Sequence, residues 1–183
     1  MKMKFKNRPN PFHKIGDQII WESRSTAVNL VVLMVRNFYS DPYVLVSKRG
    51  PKAADYQGYY NVIAGYLDWD ETGSEAVIRE TWEECGLDLS EIMKENTILR
   101  SNLDQPWNVK TDPASNRQNV SLRYGVKILT HKDNLPLLNT ENNEIEGEVE
   151  DPQWMPINRI NNYKWAFDHD LLIKEYIKFL KLN

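Results

Sequence analysis

Between Gly65 and Leu87 the chain reads GYLDWDETGSEAVIRETWEECGL. Glu80, Glu83 and Glu84 fall within five residues, with Arg79 beside them and Glu71 a little earlier. Carboxylates three or four residues apart on a helix are neighbours, and their like charges repel unless something neutralises them. Clustered carboxylate oxygens suit hard divalent cations such as Mg2+ or Mn2+. A cation held there can act as a Lewis acid and lower the pKa of bound water. Arg79, four residues before Glu83, can pair with that carboxylate or reach back to Glu71. Against this stands the ordinary fate of a Glu-Glu pair on an amphipathic helix, which is a solvated face.

Those side chains need a helix to position them, and the local residues predict one. Thr72 is a good N-cap, and Glu75 three residues later completes a capping box. Gly86 stands where a left-handed residue would end the helix. On a wheel of about 100° per residue, Val77, Ile78, Thr81, Trp82 and Cys85 share one arc. Ala76, Arg79, Glu80, Glu83 and Glu84 fill the other. The expectation is a helix that packs by the first arc and projects its carboxylates from the second.

The spacing is more specific than the charge pattern. Gly65, five residues, Glu71, seven residues, Arg79-Glu80, two residues, Glu83-Glu84, one residue, Gly86 and then Leu87 resembles the Nudix box in full. The apolar position after Arg79-Glu80 is occupied by Thr81, a mild departure. This resemblance implies an α+β chain with a mixed β-sheet sandwiched between helices, an α/β/α arrangement. It implies a pyrophosphohydrolase that cleaves a diphosphate linkage in a nucleoside diphosphate derivative, with Mg2+ or Mn2+ as cofactor. By the same resemblance Glu80, Glu83, Glu84 and the backbone carbonyl of Gly65 are metal ligands. Glu83, or a glutamate of a later acidic loop, would be the base, and Arg79 and Glu71 would lock helix and loop in register. A non-catalytic nucleotide-binding module is the alternative; intact box glutamates count against it. An isopentenyl diphosphate isomerase would carry its catalytic cysteine before the box, whereas the only cysteine here is Cys85, inside the box helix.

The rest of the chain sets bounds. With 183 residues, 41% hydrophobic and 27% charged, it reads as one domain with an ordinary globular composition. A formal charge of -3 gives no electrostatic case for duplex nucleic acid or an anionic membrane surface. The basic start MKMKFKNR has no apolar run behind it, so it is not a secretory signal, and no window approaches a membrane span. A lone cysteine excludes an internal disulfide and a CxxC metal ribbon. The default is a cytoplasmic protein acting on a small nucleotide, with a homodimer left open.

Residues 1–14, with Pro9 and Pro11, read as a surface arm. Strands are expected over Gln18–Trp21, Thr26–Val35, Tyr43–Lys48, Tyr59–Ile63, Thr97–Leu103, Val120–Leu129 and Gln153–Met155, and a final helix over HDLLIKEYIKFLKL. Arg49, beside Lys48 where a strand opens into a loop, is a candidate phosphate contact. The stretch Asp104–Asn119 reads as a sixteen-residue loop, long enough to suspect function. It carries Arg117 and Trp107, whose indole either stacks on a base or caps the core. Gln105-Pro106-Trp107 also resembles the start of a motif of Nudix enzymes acting on NADH, although Asn108-Val109 breaks it. The acidic stretch Asn139–Glu150 reads as a flexible loop, in which Glu144, Glu146, Glu148 and Glu150 are each eligible as an extra ligand or base.

Overall fold

The computed structural model describes residues 10–111, 119–132 and 134–182. The run TAVNLVVLMV forms β3 (Thr26–Val35), which follows a hairpin of β1 (Phe12–Ile15) and β2 (Gln18–Trp21). Then come β4 (Tyr43–Arg49), β5 (Tyr60–Asn61), β6 (Ile63–Tyr66), α1 (Gly73–Cys85) and α2 (Leu89–Glu95). The chain continues through β7 (Thr97–Asn102), β8 (Asn108–Lys110), β9 (Val120–Leu129) and β10 (Val149–Pro156). A short 3-10 helix (Ile157–Asn162) leads on to α3 (His169–Leu182).

Eight strands make one sheet in the order β10-β4-β3-β9-β7, with β5 on β4, β6 on β3 and β8 on β9. β3 and β9 run parallel from Thr26 opposite Val120 to Val35 opposite Leu129, and the other pairings are antiparallel. The period-two alternation of strand side chains then divides the core. Val28, Leu30, Val32 and Met34 pack with Leu45, Tyr124, Val126 and Ile128 against Val77, Cys85 and Leu89 of α1 and α2. Val31, Leu33, Val44 and Val46 pack with Met155, Leu172, Ile173 and Tyr176 on the α3 side. This is the mixed sheet between helices that the resemblance implied. Among the described residues no helix is long and apolar enough to cross a membrane.

Several expectations need correcting. The strand expected over Tyr59–Ile63 is divided at Val62: β5 pairs with β4, and β6 changes partner to β3 and runs on through Gly65 to Tyr66. The supposed sixteen-residue loop contains β8, which pairs Asn108 with Arg123 and Lys110 with Ser121. α2 was not expected; Asp88 caps it by accepting the Glu91 N–H at 3.0 Å, and the element is too short to show a clear period. The last strand starts at Val149 and takes in Glu150 of the supposed acidic loop. Of the arm expected over residues 1–14, residues 1–9 lie outside the described residues, and Phe12–Lys14 are strand.

Candidate active site

α1 forms as its capping residues dictate. The Glu75 N–H donates to the Thr72 hydroxyl, and the Glu75 carboxylate accepts the Thr72 N–H at 2.7 Å. Gly86 closes the helix at φ 64°, a left-handed conformation that glycine adopts without a Cβ penalty. The wheel, however, placed the buried arc too far round. Trp82, expected inside, is 47% exposed, whereas Ala76 and Glu84, expected on the projecting arc, are buried. The flank that bears Glu80 and Glu84 lies against the ends of β6 and β4, so part of the carboxylate arc is covered by backbone.

Arg79 is the hub of this flank. Its Nε and Nη2 donate to the two oxygens of Glu71 at 3.0 and 2.8 Å, a fork on a carboxylate. Nη2 also donates to the Tyr66 carbonyl at 3.1 Å, and Nη1 donates to Glu80 and Glu83, each at 2.9 Å. The two pairings the sequence allowed, Glu83 and Glu71, are therefore made together. Glu71 in turn accepts the Asp68 N–H at 2.8 Å, which ties the loop after β6 to the helix. Glu84 accepts from the Ser47 hydroxyl at 2.9 Å and the Ala64 N–H at 3.3 Å. Gly65 allows the closest approach: a Cβ added there would collide with the Glu80 carboxylate.

Burial dominates the electrostatics of the inner pair. Loss of hydration raises the Glu80 carboxyl to about 7, with Arg79 pulling the other way and Glu83 adding to the rise. Loss of hydration and then the neighbouring Glu80 charge raise Glu84 to about 8, against the hydrogen bond from Ser47. Glu83 is the most open of the three, its side chain 27% exposed against 12% for Glu80. Among the described residues no three carboxylate or imidazole groups already stand close enough to cage an ion. Arg79 instead holds Glu80 and Glu83 through one nitrogen, a positive charge where a cation would compete. An all-oxygen donor set with two desolvated carboxylates, whose charged forms a cation would stabilise, fits a hard divalent cation.

A pH prediction follows. A carboxyl whose folded value is raised contributes stability that is present below its unfolded value, 4.5, and is lost as pH rises through about 7 and 8. His169 acts in the opposite sense: burial, and then the charge of Arg123, lower it from 6.5 to about 3, so its contribution rises with pH up to 6.5. Above pH 6.5 the carboxyl slope outweighs what is left of the imidazole's, up to about pH 8, where the Cys85 thiol, raised by its burial in the fold, begins to add a slope of the same sign. Without divalent cations the melting midpoint should fall across that window, and Glu84→Gln should flatten the slope. Mn2+ at millimolar concentration should raise the midpoint more at pH 8 than at pH 6.5. A wild-type midpoint that is flat with pH and unmoved by Mn2+ would show these carboxyls to be a surface feature.

The other expected site residues go different ways. Arg49 donates to the Asp55 carbonyl at 2.8 Å and the Asp55 carboxylate at 3.0 Å, and lies over the Phe167 ring. Arg117 lies outside the described residues. Trp107 is not displayed as a stacking surface. Its indole N–H donates to the Tyr124 carbonyl at 3.2 Å, and its ring packs 5.4 Å from both Tyr176 and Phe179 of α3. That is the core-capping alternative, because β8 holds the segment onto β9 and turns the indole toward α3. Glu144 and Glu146 are exposed, and Glu150 stands 3.8 Å from Lys48. Gly147 and Glu148 dock the acidic turn by accepting the backbone N–H groups of Lys52 and Gly50. Sequence reasoning missed Ser47; its only signal was a hydroxyl inside the apolar strand YVLVSKR. Two surface cavities, of about 500 and 580 Å³, lie at the far end of β3 and β9 around Thr130–Lys132, and none of the box carboxylates lines them.

A family model described as NUDIX domain matches residues 25–176. Among curated proteins none matches the chain. Several solved structures share its fold. The NUDIX domain of Shewanella oneidensis NrtR, complexed with ADP ribose, is 17% identical over 87% of this chain and 90% of its own, with a TM-score of 0.59. A bifunctional NMN adenylyltransferase/ADP ribose pyrophosphatase from Francisella tularensis, complexed with AMP and a Mn ion, is 18% identical, covering 85% of this chain and 42% of that one, with a TM-score of 0.62. An Ap4A hydrolase from C. elegans is 16% identical, covering 86% of this chain and all 100% of that one, with a TM-score of 0.56. At these identities the likeness is one of fold.

Proposed function

This chain belongs to the Nudix family of hydrolases, and on that premise we propose that it is a divalent-metal-dependent enzyme cleaving a diphosphate linkage in a nucleoside diphosphate derivative. The observation that carries the reading is the pair of desolvated carboxylates, Glu80 and Glu84, beside Glu83 and the close approach at Gly65. Glu80, Glu83, Glu84 and the Gly65 carbonyl would hold Mg2+ or Mn2+. Such a cation, when bound, supplies charge neutralisation at the diphosphate and acidifies water. Glu83, the most open carboxylate, is the proposed base, with the four glutamates of the acidic turn as the alternative source. Arg79 positions Glu80 and Glu83, and its fork on Glu71 keeps it from swinging away. Arg49 and Arg117 are the proposed substrate-binding cations.

The compounds named for the structural relatives, ADP ribose, AMP and Ap4A, favour a substrate that carries an adenosine diphosphate or a longer polyphosphate; a cytoplasmic location is proposed with it. The deciding experiment is a panel of NADH, ADP-ribose, dinucleoside polyphosphates, nucleotide sugars and NTPs with Mg2+ or Mn2+, scored by released phosphate and phosphomonoester. Turnover of none of them, with nucleotide binding intact, would instead favour a non-catalytic binding module.

Gly65→Ala tests the geometry beneath this reading. The added methyl meets only the far end of a flexible glutamate, so the fold should survive with a melting midpoint within about 3 °C of wild type. The displaced Glu80 carboxylate should cost about tenfold or more in turnover, because small misplacements of reacting groups are expensive. Undiminished turnover would show that the approach of Glu80 to Gly65 is irrelevant to the chemistry.

A further inference from the structure

The turn between β4 and β5 and the lead into α3 present aromatic rings that the mechanism above does not use. Tyr56 and Phe167 meet edge to face with centroids 4.7 Å apart. They are 45% and 37% exposed. Both sit at positive φ, 50° and 55°, a conformation that residues with side chains adopt only where the surroundings enforce it. The backbone is thus held against its preference at two positions far apart in sequence whose rings touch. Tyr59 backs Tyr56 at 5.6 Å.

Arg49 links this aromatic step to the carboxylates. Its guanidinium carbon lies 5.3 Å from the Phe167 ring centroid, a cation on an aromatic face. Asp55 takes the Nε and Nη2 donors and fixes the plane, and Nη1 makes no hydrogen bond among the described residues. Arg49 is the last residue of β4, two beyond Ser47, whose hydroxyl holds Glu84. Carboxylates, cation and exposed rings therefore follow one another past the end of β4.

We propose that Tyr56 and Phe167 receive the aromatic base of the substrate, with Arg49 meeting an oxygen between that base and the phosphates at Glu80, Glu83 and Glu84. The assignment rests on the hydrolase reading for where the phosphates lie. Stacking on aromatic rings tolerates any flat heterocycle, so the class accepted is nucleotide rather than one base. A base-free phosphosugar gains nothing from the two rings, and that difference is the measurable one.

The test is equilibrium binding of AMP and of ribose 5-phosphate, in Mn2+, to wild type, Tyr56→Ala, Phe167→Ala and Phe167→Leu, with melting curves on each preparation. Phe167→Leu keeps apolar bulk without the ring and guards against loss of the fold. Wild type should bind AMP about tenfold more tightly than ribose 5-phosphate. The variants should bring AMP to within about twofold of ribose 5-phosphate and leave the latter unchanged. No preference in wild type, a preference that survives in folded variants, or equal weakening of both ligands would each overturn the assignment. Wild type that hydrolyses no diphosphate yet keeps the base preference would refute the hydrolase reading and leave this one standing.

Discussion

Glu83→Gln should lower turnover of a diphosphate substrate by at least about two orders of magnitude, as loss of a main electrostatic stabiliser does. The substitution keeps size and removes one charge. Glu83 accepts a single described hydrogen bond, from Arg79 at 2.9 Å, and an amide oxygen can still accept it. Its side chain is also partly open to solvent, so little packing is disturbed. A melting midpoint within about 2 °C of wild type should therefore accompany the loss. The control is Glu75→Gln: its carboxylate serves the Thr72 cap, so replacement should lower stability slightly and leave cation binding alone. A folded Glu83→Gln enzyme within threefold of wild type would move the base to the acidic turn. The same measurement on Glu144→Gln, Glu146→Gln, Glu148→Gln and Glu150→Gln would then find it.

Trp107→Ala should be the most destabilising single change outside the two core clusters, at about 3 kcal/mol, the lower end for truncating a large aromatic, because the residue is only half-buried. For a chain of this size that is a fall of about 6–12 °C in the melting midpoint. Three losses combine: the ring contacts with Tyr176 and Phe179, the bond to the Tyr124 carbonyl, and the anchor that keeps β8 on β9. KM should change little, since the indole is turned toward α3. Melting and kinetics on one preparation decide the matter: a tenfold rise in KM with an unchanged midpoint would restore the stacking role considered from sequence.

The errors of the sequence reading share a cause. Trp107 stood in a segment of amides, prolines and charges with no period, so neither β8 nor the direction of the indole was visible. Trp82 and Glu84 exchanged expected environments because a wheel ranks positions by the polarity of one helix. It cannot register that the end of β6 and Ser47 of β4 supply hydrogen-bond donors on the carboxylate side. Arg49 was noticed as a cation beside a loop. Its fixation by Asp55 is local, but Phe167 beneath it comes from a segment more than a hundred residues further along the chain.

What the amino-acid sequence determined by itself is local. The Thr72–Glu75 capping box and Gly86 delimit α1, the β-branched run makes β3, and the box spacing identifies the family. Each depends on contacts within a few residues or on a pattern readable in one dimension. The tertiary structure alone decided the electrostatic state of the site. The Glu80 and Glu84 carboxyls are raised only when the sheet removes their water, and Arg79 becomes a hub only when the loop after β6 brings Glu71 and the Tyr66 carbonyl to it. Desolvation is a property of everything that surrounds a group, and here those surroundings come from β4, β6 and α1 together.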